Sequence, residues 1–217
     1  ATKPIVNGEG SLVYPNGDCY RGRFIGGVRQ GSGEMLYANR EYYNGDWDKG
    51  QRAGRGRMVH AGGQTYEGEW RSNQRNGQGR FVWPSGAVYE GEWKDDVRDG
   101  QGVMLERNGD RYEGGWKRDK REGRGTEVEK DGSRYDGEWL AGKRHGQGSQ
   151  LFVGGDRYEG GFVDGRRQGQ GRYTWVNGDY YQGQLVAGHF EGQGERVNVN
   201  GWRYKGEWLA DRQHGHG

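Results

Sequence analysis

A chain of 217 residues with 47 glycines and only 29% hydrophobic residues is ill suited to an ordinary globular core, yet 9 Trp and 14 Tyr are too many rings for a disordered polar chain. Thirty-three basic residues against 31 acidic ones leave a net charge of +2, so no whole-molecule field argues for nucleic acid or a membrane.

Residues 1–19 read as the tail of a preceding repeat, and the chain as an excerpt of a longer array. From there the phrase Tyr-x-Gly-x-(aromatic or Leu) begins at Tyr20, Tyr43, Tyr66, Tyr89, Tyr112, Tyr135, Tyr158, Tyr181 and Tyr204, with every interval 23 residues. It divides 20–217 into units 20–42, 43–65, 66–88, 89–111, 112–134, 135–157, 158–180 and 181–203 and a partial unit 204–217. A Gly-x-Gly pair follows each Tyr at offsets 11 and 13, and a Gly precedes it by three except where Arg40 stands.

In Tyr66-Glu67-Gly68-Glu69-Trp70 the side chains alternate, so Tyr, Gly and Trp share one face of a strand and the two Glu share the other. Offset 7 is always Gly, Asn or Asp, residues that tolerate a left-handed turn. A second strand is expected after Gly-x-Gly, as in Arg80-Phe81-Val82-Trp83, and then a tight turn such as Pro84-Ser85-Gly86. Each unit is thus one β-hairpin, too small to be stable alone. Stacking supplies what it lacks: the glycines leave notches in the pleat, and rings of neighbouring hairpins are expected to lie over them. The predicted fold is all-β, an elongated single-layer antiparallel sheet of stacked 23-residue β-hairpins, on the order of 85 Å long at two strands per unit.

The 23-residue unit with Tyr-x-Gly-x-Trp followed by Gly-x-Gly resembles the MORN repeat (membrane occupation and recognition nexus), and the resemblance covers essentially the whole chain. Consisting of repeats alone, the chain is similar to the MORN-only cytoskeletal proteins of unicellular parasites. The resemblance implies a rod that dimerises, and the family's name implies association with membranes.

No helix follows the Gly-x-Gly pairs, so they are not phosphate loops. Five His and one Cys are scattered along the chain, with no nucleophile elbow, HExxH or paired CxxC, and no enzymatic role is expected. The lone Cys19 cannot form an internal disulfide, which points to a reducing compartment such as the cytosol. Offset 9 carries a row of arginines, Arg29, Arg52, Arg75, Arg98, Arg121, Arg144 and Arg167, which either meets anionic phospholipid headgroups or pairs with acids of adjacent hairpins. The row breaks at Phe190, where Leu185, Val197, Val199, Trp202 and Trp208 lie nearby; this end is read as the contact of a homodimer. His214 and His216 would place four imidazoles near a zinc ion in such a dimer, although unpartnered terminal His is the plainer reading, and no other cofactor is expected. The function expected is a non-catalytic scaffold of the cytoskeleton or cell cortex that binds cytoskeletal or cortical proteins and no nucleic acid. A peripheral phosphoinositide-binding tether is the alternative.

Overall fold

The structure, a computed structural model, describes residues 6–215, and these form strands and turns without a helix. It divides into two compact units, one ending at Arg107 and one beginning at Asn108. The first contains β1 (Gly8–Val13), β2 (Cys19–Ile25), β3 (Val28–Leu36), β4 (Tyr42–Asp48), β5 (Gln51–Val59), β6 (Thr65–Arg71), β7 (Gln74–Val82), β8 (Val88–Lys94) and β9 (Val97–Leu105). The second contains β10 (Arg111–Lys117), β11 (Lys120–Val128), β12 (Arg134–Leu140), β13 (Lys143–Leu151), β14 (Arg157–Val163), β15 (Arg166–Thr174), β16 (Tyr180–Val186), β17 (His189–Val197), β18 (Arg203–Leu209) and β19 (Arg212–His214). Within each unit every strand pairs antiparallel with the next in the chain, giving the expected stack of hairpins.

The two strands of a hairpin are joined by two residues, and both have positive φ: Ser72 at 50° and Asn73 at 69°. That is the mirror-image turn whose twist matches the flanking strands. The Gly, Asn or Asp at offset 7 therefore turns left-handed as the sequence predicts, and the residue before it does so too, even when it is Ala141.

The second strand differs from expectation. β7 begins at Gln74, ahead of Gly77-Gln78-Gly79, and ends at Val82, leaving Trp83 in the following turn. The glycine pair is inside the strand because it builds a bulge. Gly68 faces Gly79 and Trp70 faces Arg75, so one residue on β6 opposes three on β7, and Gly77 absorbs the excess at φ +59°.

Register aligns the remaining glycines into a row. Gly68 faces Gly56 on one side and Gly79 on the other, and Gly79 faces Gly91 in turn. The tyrosines fill the trough this row leaves. A Cβ built on Gly79 would stand 2.3 Å from Tyr66 Oη and 2.4 Å from Tyr66 Cε2. The covering ring belongs to the same hairpin, not to a neighbour as the sequence suggested. The Trp makes the link between hairpins: Trp70 Nε1 donates to the carbonyl of Gly56 at 3.0 Å, and Trp93 Nε1 to that of Gly79 at 3.1 Å. Tyr20, Tyr43, Tyr66, Tyr112 and Tyr135 are each held edge-on between two rings, Tyr66 lying 5.1 Å from Trp70 and 5.5 Å from Trp93. Tyr43, Tyr66, Tyr135, Tyr158 and Tyr181 are fully buried.

Tyr66 Oη donates to the carbonyl of Glu69 at 2.9 Å, inside the bulge, and the Glu69 carboxylate accepts from the backbone N–H of Gln78 at 3.1 Å. Asp46, Glu92 and Glu138 repeat that carboxylate contact. The acid at offset 3 is thus a bulge cap, not merely part of a solvated ladder.

Arg40 sits at φ 71°, at the turn position filled by Gly17, Gly63 and Gly86 in neighbouring repeats. A left-handed conformation costs an L-residue roughly 1–2 kcal/mol, part of which the larger unfolded-state freedom of glycine would offset. Arg40→Gly is expected to stabilise the chain by about 0.5–1 kcal/mol, read as a raised urea midpoint at unchanged slope.

Candidate interaction site: the arginine row and the ring face

Beyond the bulge the side chains at offset 9 return to the face that carries the rings, because Arg75 stands directly opposite Trp70. Four of the guanidiniums, those of Arg29, Arg52, Arg75 and Arg167, reach forward to the next hairpin's turn. Arg29 Nη2 donates to the carbonyl of Gly50 at 2.7 Å, Arg52 Nη2 to that of Asn73 at 3.0 Å, and Arg167 Nη2 to that of Gly188 at 2.9 Å. The turn answers through its backbone, the N–H of Gly50 donating to the carbonyl of Arg29 at 2.9 Å. Where offset 7 is Asp the clamp gains charge. Arg75 Nη2 meets the Asp96 carbonyl at 2.7 Å, and Arg75 Nε meets its Oδ1 at 3.0 Å. The guanidinium carbons of Arg29, Arg52 and Arg75 also lie 4.3, 4.5 and 4.3 Å from the ring centroids of Trp47, Trp70 and Trp93.

Ion pairing is uneven along the row. Arg121 and Arg144 share Glu127, and Arg144 also reaches Glu129 at 3.1 Å. Arg98 lies 5.5 Å from the Tyr89 ring centroid. Arg29, Arg52 and Arg167 form no ion pair among the described residues; carbonyls and rings hold them. The row is half-buried, packed onto the seam rather than projecting from it.

A second row, at offset 15, went unread in the sequence. Met35, Met58, Phe81 and Met104 occupy it in the first unit and are buried; Glu127, Gln150, Tyr173 and Arg196 occupy it in the second. The first unit's ring face has a hollow of about 690 Å³ whose lining includes Phe81 of this row together with Arg52, His60, Trp70, Arg75 and Trp83. His60 Nδ1 lies 3.1 Å from Glu41 Oε1 at its rim. Although partial burial opposes ionisation, hydrogen bonds with His60 and Asn39 hold the Glu41 carboxyl below its usual range.

The residues assigned to a C-terminal contact separate. Leu185, Phe190 and Trp208 are buried in the seam of their own chain, at 1%, 9% and 4% exposure, so they offer no free apolar surface. Phe190 takes the arginine's place and lies over Tyr181, with centroids 3.9 Å apart and planes 18° from parallel. The bulge sends offset 9 to the ring face, so losing the charge there deepens the seam. Val197 is half-buried, while Val199 and Trp202 are exposed at 65% and 47%. His214 lies at the end of β19 and its carbonyl accepts from Tyr204 Oη at 3.2 Å. His216 lies outside the described residues, and among those described no three metal-ligating side chains gather.

Two-stranded hairpins of constant length, sealed by a Tyr–Trp seam over a row of glycines, define a β-hairpin repeat protein. The MORN repeat model matches residues 7–19, 20–41, 43–65, 66–88, 89–111, 112–134, 135–157, 158–180, 181–203 and 204–217, and the chain belongs to the MORN-repeat family. Among solved structures it is similar to the G-box domain of the microcephaly protein CPAP, with 13% identity over 93% of this chain and 100% of that one and a TM-score of 0.49. The TCP10 domain of Danio rerio CPAP follows at 12% identity, 92% and 100% coverage and a TM-score of 0.46. The SAS-4 TCP domain of Drosophila melanogaster, in complex with a proline-rich motif of Ana2, overlaps at 11% identity, 96% and 94% coverage and a TM-score of 0.34. Overlaps this distant carry no information about what this chain binds. No curated protein sequence matches it at a significant level.

Proposed function

We propose that this chain is a non-catalytic structural scaffold of the cytoskeleton or cell cortex, a MORN array that mediates protein–protein contacts and self-associates through its C-terminal repeats. The observation that carries this reading is the clamp at offset 9. Arg29, Arg52, Arg75 and Arg167 spend their forks on the next turn's carbonyl, which is a structural task. The exposed pair Val199 and Trp202 supplies an apolar contact for a second copy.

A peripheral phospholipid tether is the second reading. It is favoured by the absence of a carboxylate partner, among the described residues, at Arg29, Arg52 and Arg167, whose charge is therefore not neutralised locally.

Sedimentation equilibrium and vesicle co-sedimentation separate the two. The scaffold reading expects a solution mass of two chains, a loss of that mass in Val199→Glu/Trp202→Glu, and protein left in the supernatant with phosphoinositide vesicles at physiological salt. A single-chain mass at high concentration would end the self-association. Pelleting that is lost in Arg52→Gln/Arg167→Gln, with the sheet intact by circular dichroism, would put the lipid reading first.

A further inference from the structure

Offset 5 ends the first strand of each hairpin on the face opposite the rings, and in the second unit it changes character. From the repeat at Tyr135 onward it holds Leu140, Val163, Val186 and Leu209, exposed at 48%, 45%, 49% and 53%. In the first unit the same offset reads Ile25, Asp48, Arg71 and Lys94, so an apolar run stops there after one residue. Four consecutive half-exposed aliphatic side chains at one edge of one face are a strip that solvation does not explain. The residues directly across each hairpin are basic: Lys143 faces Leu140, Arg166 faces Val163, His189 faces Val186 and Arg212 faces Leu209. Opposed residues share a face, so an apolar file and a basic file run side by side.

Two of these side chains already have carboxylates. Lys143 Nζ lies 3.1 Å from Asp164, and His189 Nδ1 lies 2.7 Å from Asp211. Both pairs are exposed and cheap to rearrange. Arg166 and Arg212 have no ion pair among the described residues. Glu138, further in from Leu140 on the same strand, is committed to the bulge, accepting from the N–H of Gln147 at 3.1 Å.

Spacing selects the occupant. Two strands per repeat bring an apolar side chain about every 10 Å across the sheet. An α-helix lying across the hairpins rises about 10.5 Å in seven residues, so one apolar side chain per heptad stays in step along four repeats within about 3 Å. A polyproline segment has a similar pitch, but it docks between aromatic rings, and this strip has only Leu and Val. We propose that Leu140, Val163, Val186 and Leu209 receive an acidic amphipathic α-helix of a partner protein, its apolar positions on the aliphatic file and its flanking carboxylates on Lys143, Arg166 and Arg212.

The proposal rests on the protein-scaffold reading and names the chemistry of one partner. It is tested on the intact chain with a labelled peptide of about 28 residues, four heptads long, carrying Leu and Ala on one face and Glu on the flanks. Fluorescence anisotropy is expected to show saturable binding, weakened at least about tenfold by Val163→Glu/Val186→Glu or by Lys in place of the flanking Glu, and unchanged by Arg71→Glu at the same offset in the first unit. Equal binding of the Glu and Lys peptides, equal binding by the strip variant, or no binding up to about 100 µM overturns it. If that failure leaves the two-chain mass intact, helix docking falls and the scaffold reading stands. Loss of the two-chain mass in Val163→Glu/Val186→Glu assigns the strip to a second copy and likewise overturns the proposal. Vesicle pelleting that vanishes in this variant assigns it to a membrane, with the same consequence.

Discussion

Replacing Gly79 by alanine is expected to destabilise the first unit by about 3 kcal/mol or more, at the upper end of what a single methyl group costs in a packed interior. Gly79 is not in a left-handed conformation, so the effect is one of space alone. The added carbon would stand 2.3, 2.4 and 2.5 Å from the hydroxyl oxygen and two ring carbons of Tyr66. That ring cannot retreat. Trp70 and Trp93 flank it edge-on, and its hydroxyl is held by the Glu69 carbonyl. Moving it would break the bulge that sets the register of β6 on β7. Gly86→Ala is the contrast. Gly86 has φ +92° and open space around its Cβ position, so its cost is conformational, about 1–2 kcal/mol, and confined to one turn. Urea denaturation of both variants measures the difference. The pair Tyr66→Leu/Gly79→Ala tests the cause: a smaller side chain at 66 relieves the collision, so the double variant should lose clearly less than the sum of the singles. Strict additivity would show that the ring and the glycine do not share their space as the structure has it.

Much of this is legible in the sequence, because a 23-residue period repeated without slippage reports spacing as well as composition. Alternation in Tyr66-Glu67-Gly68-Glu69-Trp70 fixes which side chains share a face, and the residue choice at Asn73 and Asp96 announces a left-handed turn. The bulge was not legible. Gly77 and Gly79 look alike in the sequence, yet one supplies a positive φ and the other supplies room, and only register separates these roles. Reading the pair as the entry to a strand concealed that offset 9 returns to the ring face. That error placed Phe190 at a surface, where the structure buries it against Tyr181. Ala141 and Ser72 are left-handed because the two-residue turn requires it of both positions, whatever their own preference. The apolar offset 15 was available as a pattern in Met35, Met58, Phe81 and Met104, but a file of four among many offsets stands out only once burial marks it.

The same seam makes the fold sensitive to alkali. Burial pushes the hydroxyls of Tyr20, Tyr112, Tyr135, Tyr158 and Tyr181 up to about 12, and those of Tyr43 and Tyr66 further in the same direction. For all of these but Tyr181, an arginine of the offset 9 row pulls the other way and does not prevail. Tyr181 has Phe190 in that place and the carboxylates of Asp211 and Glu191 adding to the upward push. The hydroxyls donate to backbone carbonyls, as Tyr135 does to Glu138 at 2.9 Å and Tyr181 to Gln184 at 2.8 Å. A phenolate there would lose its donor and face an oxygen. The folded chain therefore holds these protons while the unfolded chain releases them near pH 10. The contribution is complete below pH 10 and is lost progressively as pH rises toward 12. Because the hydroxyls repeat along each unit, their small losses accumulate, and the thermal midpoint is expected to fall steeply over that interval while staying flat between pH 8 and pH 9.5. Phenolate absorbance of the seam tyrosines should appear together with loss of the β-sheet dichroism, since ionisation and unfolding are one event. Absorbance that reaches completion near pH 10 with the sheet intact would show that these rings stand in water, and the trough of glycines would then need another occupant.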